Sequence, residues 1–175
     1  MITRQRYEQA STFDDYLAGV TKHAELWRGV YDRVRLTDAQ VARVQALGGP
    51  WHLLVLSEDW CGDAVNVVPV VARLGDLAAN VDVRVLGRDT NPDIMDAHLT
   101  GTSRSIPVVV FLDDGFTECG WWGPRPSELQ AWVLGPGQEL PNPDRYREVR
   151  RWYARDQGAT IVEELIERFE RCASA

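Results

Sequence analysis

Seven residues, Trp51 to Ser57, constrain the architecture most. They read Trp-His-Leu-Leu-Val-Leu-Ser, apolar at consecutive rather than alternate positions, between the breaker Gly48-Gly49-Pro50 and the charged pair Glu58-Asp59. A strand with that pattern has to be covered on both faces, which calls for helices on either side of a sheet and points to the α/β class.

The neighbouring segments supply those helices and further strands. From Thr12 to Ala46 apolar residues recur at three- and four-residue steps (Phe13, Tyr16, Leu17, Val20, then Leu26, Val30, Val34), giving two helices. Thr37-Asp38 has the character of a helix N-cap, and Gly48-Gly49-Pro50 stops the helix after Leu47. Val81 to Leu86 and Pro107 to Leu112 read as strands, with a short helix or loop opening at Asn91-Pro92. Asp113-Asp114-Gly115 is a hairpin turn that returns Phe116 to Trp121 antiparallel. Ser127 to Val133 is helical, a Gly/Pro-rich linker follows, and Arg145 to Ala154 and Thr160 to Arg171 form two closing helices. Asn66 to Leu77 is contradictory: its valines favour a strand, whereas Pro69 argues against any central strand.

A length of 175 residues suits one domain. Within it, residues 1–49 read as a helical extension, 50–134 as the core, and 135–175 as a linker with helices. With 19 Lys and Arg against 26 Asp and Glu, the net charge of −7 has the wrong sign for a nucleic-acid partner. The longest apolar runs are a handful of residues, so no membrane span is expected. Met1 to Asp15 has no signal-peptide pattern, and a cytoplasmic location is expected. Cys61, Cys119 and Cys172 are odd in number and widely spaced, which suits neither a disulfide framework nor a zinc site. The histidines are scattered, so no metal is expected.

Reaction chemistry concentrates in Ser57-Glu58-Asp59-Trp60-Cys61-Gly62-Asp63-Ala64, directly after the buried strand. A cysteine at a helix start receives backbone N–H groups that favour its thiolate, the nucleophilic form. Asp63 opposes this, because its carboxylate repels a nearby thiolate while favouring the helix N-terminus.

Trp60-Cys61-Gly62 resembles the Trp-Cys-Gly-X-Cys active-site segment of the thioredoxin superfamily. Pro69 falls where that family has its helix-kinking proline, which resolves the conflict in favour of a helix. Ile106-Pro107 resembles its cis-proline loop, and Gly123 the glycine ending its hairpin. The resemblance covers roughly residues 50–134 and implies a three-layer sandwich, a central mixed sheet flanked by helices, here with added terminal helices. The flanks also resemble a divergent bacterial branch carrying Glu-X-Trp-Cys-Gly-Asp-Cys.

The departures define the chemistry to expect. Ala64 stands where the family has its second, resolving cysteine, Val55 where it has a buried acid, and Val85 where it has the partner lysine. The resemblance therefore implies thiol–disulfide exchange with Cys61 as sole nucleophile, by a monothiol route through a mixed disulfide and without a cofactor. Trp60, Gly62, Asp63, Ile106, Pro107 and Trp122 are the expected substrate contacts, and Cys119 is a candidate resolving thiol. The substrate would be a protein or low-molecular-weight disulfide, such as a glutathione mixed disulfide. Arg88 and Arg104 are candidates for meeting an anionic thiol, though solvated loop residues are the simpler reading. Two alternatives stand beside this: a redox-silent adaptor that binds a peptide or partner protein, and a dithiol reductase whose resolving cysteine is replaced by Ala64.

Overall fold

The computed structural model describes residues 2–174. The apolar run forms β1 (Trp51–Ser57), with every residue buried except His52, which is partly so. It lies inside a four-stranded sheet with β2 (Val81–Gly87), β3 (Val108–Leu112) and β4 (Glu118–Trp122), in the order β2-β1-β3-β4. β1 pairs parallel with β2 and antiparallel with β3, and β3 pairs antiparallel with β4. The sheet is mixed, as expected.

Pro69 sits inside a helix, α5 (Ala64–Leu77), which leaves directly from the cysteine segment. The last helix, α9 (Ala159–Ala173), lies beside α5 on the same sheet face. Phe169 of α9 meets Trp51 and Phe111 edge-on, with ring centroids 5.8 and 4.7 Å apart. Leu165, Ile166 and Phe169 thus find the partner surface that their apolar stripe requires. Although α9 lies far beyond residue 134 in sequence, it seals the same sheet face as α5. On the opposite face His52 stacks on Phe116 at 4.3 Å, and Tyr7 closes over both rings.

The N-terminal region holds more helices than its rhythm suggests. α1 (Arg4–Glu8) precedes α2 (Phe13–Gly19), α3 (Ala24–Arg33) and α4 (Asp38–Ala46), so Thr12 to Ala46 contains three helices, not two. The extra break falls at Thr21-Lys22-His23, where His23 adopts a left-handed conformation. A distant side chain secures that break: the Asp59 carboxylate accepts from the backbone N–H groups of Thr21 and Lys22 and from the Thr21 hydroxyl. The Thr37 cap is as read, completed by Gln40 in a reciprocal capping box. α3 packs outside α5, and α4 outside α9. The remaining helices are α6 (Pro92–Asp96), α7 (Ser127–Leu134) and α8 (Asn142–Asp156). No helix among the described residues is long and apolar enough to cross a membrane.

Candidate functional site

β1 ends at the buried Ser57, whose hydroxyl shares a 3.0 Å hydrogen bond with Tyr16 of α2. Burial pushes the Tyr16 phenol up to about 12, so it stays neutral. Three residues later Trp60 turns outward, half exposed, and Cys61 turns inward with 8% of its surface exposed. The Cys61 Sγ occupies the N-terminal mouth of α5. The Ala64 N–H donates to it at 3.4 Å, and the thiol donates to the Ile106 carbonyl at 3.5 Å. Ile106-Pro107 is a cis peptide, and both residues are buried. The two segments expected to form the site are therefore in contact.

Gly123 closes this corner. Its φ of +132° and a Cβ position 2.3 Å from the Pro107 carbonyl oxygen leave room for no side chain there. Gly62 differs: a Cβ there meets nothing within 4 Å, so packing does not require glycine next to the cysteine.

Burial tips the two opposed influences on Cys61 toward the protonated thiol. Burial pushes the Cys61 thiol up, and the Asp63 charge adds to this; the hydrogen bond from Ala64 and the Arg125 charge pull the other way without reversing it. Asp63 does not cap α5 through its side chain. Its carboxylate instead accepts a two-pronged pair of bonds from Arg125, at 2.9 and 2.6 Å, and one from the Tyr153 hydroxyl at 2.9 Å. Arg125 also donates to Gln130 at 2.9 Å. Neither Arg125 nor Tyr153 is singled out by the sequence reading. The one local signal was an arginine locked between prolines, Pro124-Arg125-Pro126, directly after Gly123.

Two further placements differ from expectation. Trp122, an expected substrate contact, is buried and its indole N–H is held by Glu164 of α9. Trp121, the less buried of the pair, lies edge-on against His98, and Trp60 has Arg88 over its ring. Cys119 is disulfide-bonded to Cys172, with Cα atoms 5.4 Å apart, and Cys61 is the free cysteine among the described residues. The widely spaced cysteines thus do contain one disulfide, and Cys119 is engaged away from the role of resolving partner. Arg88 and Arg104 are both neutralised internally, by Asp89 and Asp96.

Ala64 is fully buried where a second thiol would stand. Val55 and Val85, at the positions implied for an acid and a lysine, are register partners on β1 and β2 and both are buried. Among the described residues no three His, Cys, Asp or Glu side chains gather to hold a metal.

The sequence matches the profile of a family described as thioredoxin over residues 10–158. The chain belongs to the thioredoxin family. Two solved structures share this thioredoxin fold along nearly their whole length. One is a protein of unknown function from Pseudomonas aeruginosa, with 18% identity, a TM-score of 0.77, and 97% of this chain and 98% of that one covered. The other is an HIV epitope scaffold, with 16% identity, a TM-score of 0.76 and the same coverage. No functionally curated protein matches the sequence. In this thioredoxin-family chain the family match spans the Cys61 segment, the cis-proline loop and the helix that supplies Tyr153.

Proposed function

We propose that this protein performs thiol–disulfide exchange with Cys61 as its single working thiol, within the branch of the family that carries Glu58, Trp60, Cys61, Gly62 and Asp63. The observation that carries the reading is the seat of the sulfur, at the mouth of α5 under the Ala64 N–H and beside the Ile106 carbonyl. A donor aimed at sulfur stabilises the thiolate both as it attacks and as it leaves.

The Cys61 thiol first loses its proton to solvent, because the Asp63 carboxylate is occupied by Arg125 and Tyr153. The thiolate attacks one sulfur of a disulfide R–S–S–R′, forming Cys61–S–S–R and expelling R′–S⁻. An external low-molecular-weight thiol R″–SH, as its thiolate, then attacks the R sulfur. This gives R–S–S–R″ and expels Cys61 as a thiolate, which takes a proton back from solvent, with no net change in the protein's oxidation state. Ala64 supplies no internal thiol for that second step, so the mixed disulfide persists until an external thiol arrives.

Cys61→Ser is expected to abolish turnover of a glutathionylated substrate, while Cys119→Ser and Cys172→Ser leave it intact. Unchanged turnover in Cys61→Ser would sink the reading.

One observation favours the adaptor reading instead: burial holds the resting thiol protonated. An adaptor would bind its partner equally well after Cys61→Ala and would form no covalent intermediate.

A further inference from the structure

Trp60 is the one half-exposed aromatic beside the thiol, and an exposed indole on a loop is not self-positioning. The Arg88 side chain packs on it. The Arg88 guanidinium lies over the Trp60 ring, its central carbon 5.0 Å from the ring centroid. The same guanidinium donates to the Arg104 carbonyl at 3.1 Å, two residues before the cis-proline dipeptide. Asp89 holds a third edge at 2.7 Å, and the Arg88 side chain is only 20% exposed. The backbone beneath is fixed as well, since Arg88 N–H donates to the Ser57 carbonyl and Asp89 N–H to the Glu58 carboxylate.

Two segments distant in sequence wall Cys61, Trp60 before α5 and the 104–107 loop before β3. Arg88, at the end of β2, touches both. Its charge is already matched by Asp89 and that of Arg104 by Asp96, so neither arginine is arranged to select an anionic substrate.

We propose that Arg88 is a positioning residue that braces Trp60 against the loop preceding Pro107, setting the spacing of the two walls between which a peptide disulfide reaches Cys61. The proposal rests on the exchange reading above. The guanidinium acts through its plane and its fork rather than its charge: one face covers the indole while one edge reaches the carbonyl.

The test measures two rates at Cys61 in wild type, Arg88→Ala, Arg88→Lys, Trp60→Ala and the Arg88→Ala/Trp60→Ala double variant. One is mixed-disulfide formation with an extended peptide carrying a glutathione mixed disulfide; the other is alkylation by iodoacetamide, which reports the thiol itself. Arg88→Ala is expected to slow the peptide reaction about tenfold or more, as misplaced walls do, and to change alkylation less than about twofold. Arg88→Lys is expected not to restore the rate. The double variant is expected to be no slower than Trp60→Ala, because Arg88 acts through that ring. Equal losses in both reactions, full rescue by lysine, or additive losses would each overturn the proposal. A wild type that is alkylated but forms no mixed disulfide would instead overturn the exchange reading, and this proposal with it.

Discussion

The Asp63 carboxylate and the Arg125 guanidinium form a two-pronged pair, Nε to Oδ1 at 2.9 Å and Nη2 to Oδ2 at 2.6 Å, two residues past the nucleophilic position Cys61. Their side chains are only 11% and 18% exposed, and 62 residues of sequence separate them. Each neutralises the other beside the thiol, so the charges that act on Cys61 come as opposed partners.

Breaking the pair from either side therefore separates stability from reactivity. Arg125→Met leaves a buried carboxylate without its cation, a loss of about 3–5 kcal/mol, and raises the Cys61 pKa further. Asp63→Asn also destabilises, but removes a charge that pushes the thiol up and leaves one that pulls it down, so Cys61 moves down. Urea unfolding together with alkylation rate against pH reads both; Cys61 pKa shifts of the same sign in the two variants would contradict the arrangement.

The two glycines flanking the site should respond in opposite ways. Gly62→Ala adds a methyl into open space and is expected to alter stability by less than about 0.5 kcal/mol. Gly123→Ala forces a Cβ onto the Pro107 carbonyl in a backbone conformation hostile to side chains, and is expected to cost about 3 kcal/mol or more. Thermal melts of the two variants compare them directly.

His98 gives stability a pH dependence of defined sign. Burial alone would push it down, but its bonds to Glu118 at 3.1 Å and to the Ile94 carbonyl at 2.7 Å, with the Glu118 charge, hold it above its ordinary 6.5. A pKa raised on folding contributes stability that is complete below 6.5 and is lost as pH rises through the folded value. The stability difference between wild type and Glu118→Gln should therefore shrink as pH rises from about 5.5 to 9. A constant or growing difference would contradict the linkage.

The Cys119–Cys172 bond closes a separation of 53 residues, worth up to about 4 kcal/mol by loop-closure entropy. Cys119→Ser should lose up to that much in urea unfolding while Cys61 alkylates at its wild-type rate. A changed Cys61 rate would show the two sulfur sites to be coupled.

The fold was legible wherever the signal was local. The consecutive apolar residues of β1, the Thr37 cap and the Asp113-Asp114-Gly115 turn each depend on neighbours in sequence, and each is found where it was read. Pro69 became legible only through the family resemblance, since propensity and proline disagree. The break at Thr21-Lys22-His23 was hidden because Asp59 secures it from a different element.

A bulge accounts for the errors in β4. Strict alternation places Cys119 and Trp121 on one face, but the register passes from Phe111↔Gly120 to Leu112↔Glu118, leaving Cys119 as the extra residue. Glu118 and Trp121, three apart, therefore both reach His98, while Cys119 turns to α9 with Gly120 and Trp122. Periodicity carries no mark of a bulge, so neither the disulfide nor the inward turn of Trp122 was readable. The same holds for Tyr153, which lies 90 residues from Asp63.

The most direct test of Cys61 as a lone exchanging thiol follows the lifetime of its mixed disulfide. The protein is loaded with a glutathionylated peptide, excess reagent is removed, and intact mass is recorded with and without an added low-molecular-weight thiol, for wild type and Ala64→Cys. The expected result is a Cys61 adduct in wild type that persists alone and is released by the thiol, whereas Ala64→Cys releases its adduct unaided and closes a 61–64 disulfide. A wild-type protein that forms no adduct at Cys61, or sheds it at the same rate without an external thiol, would contradict the account.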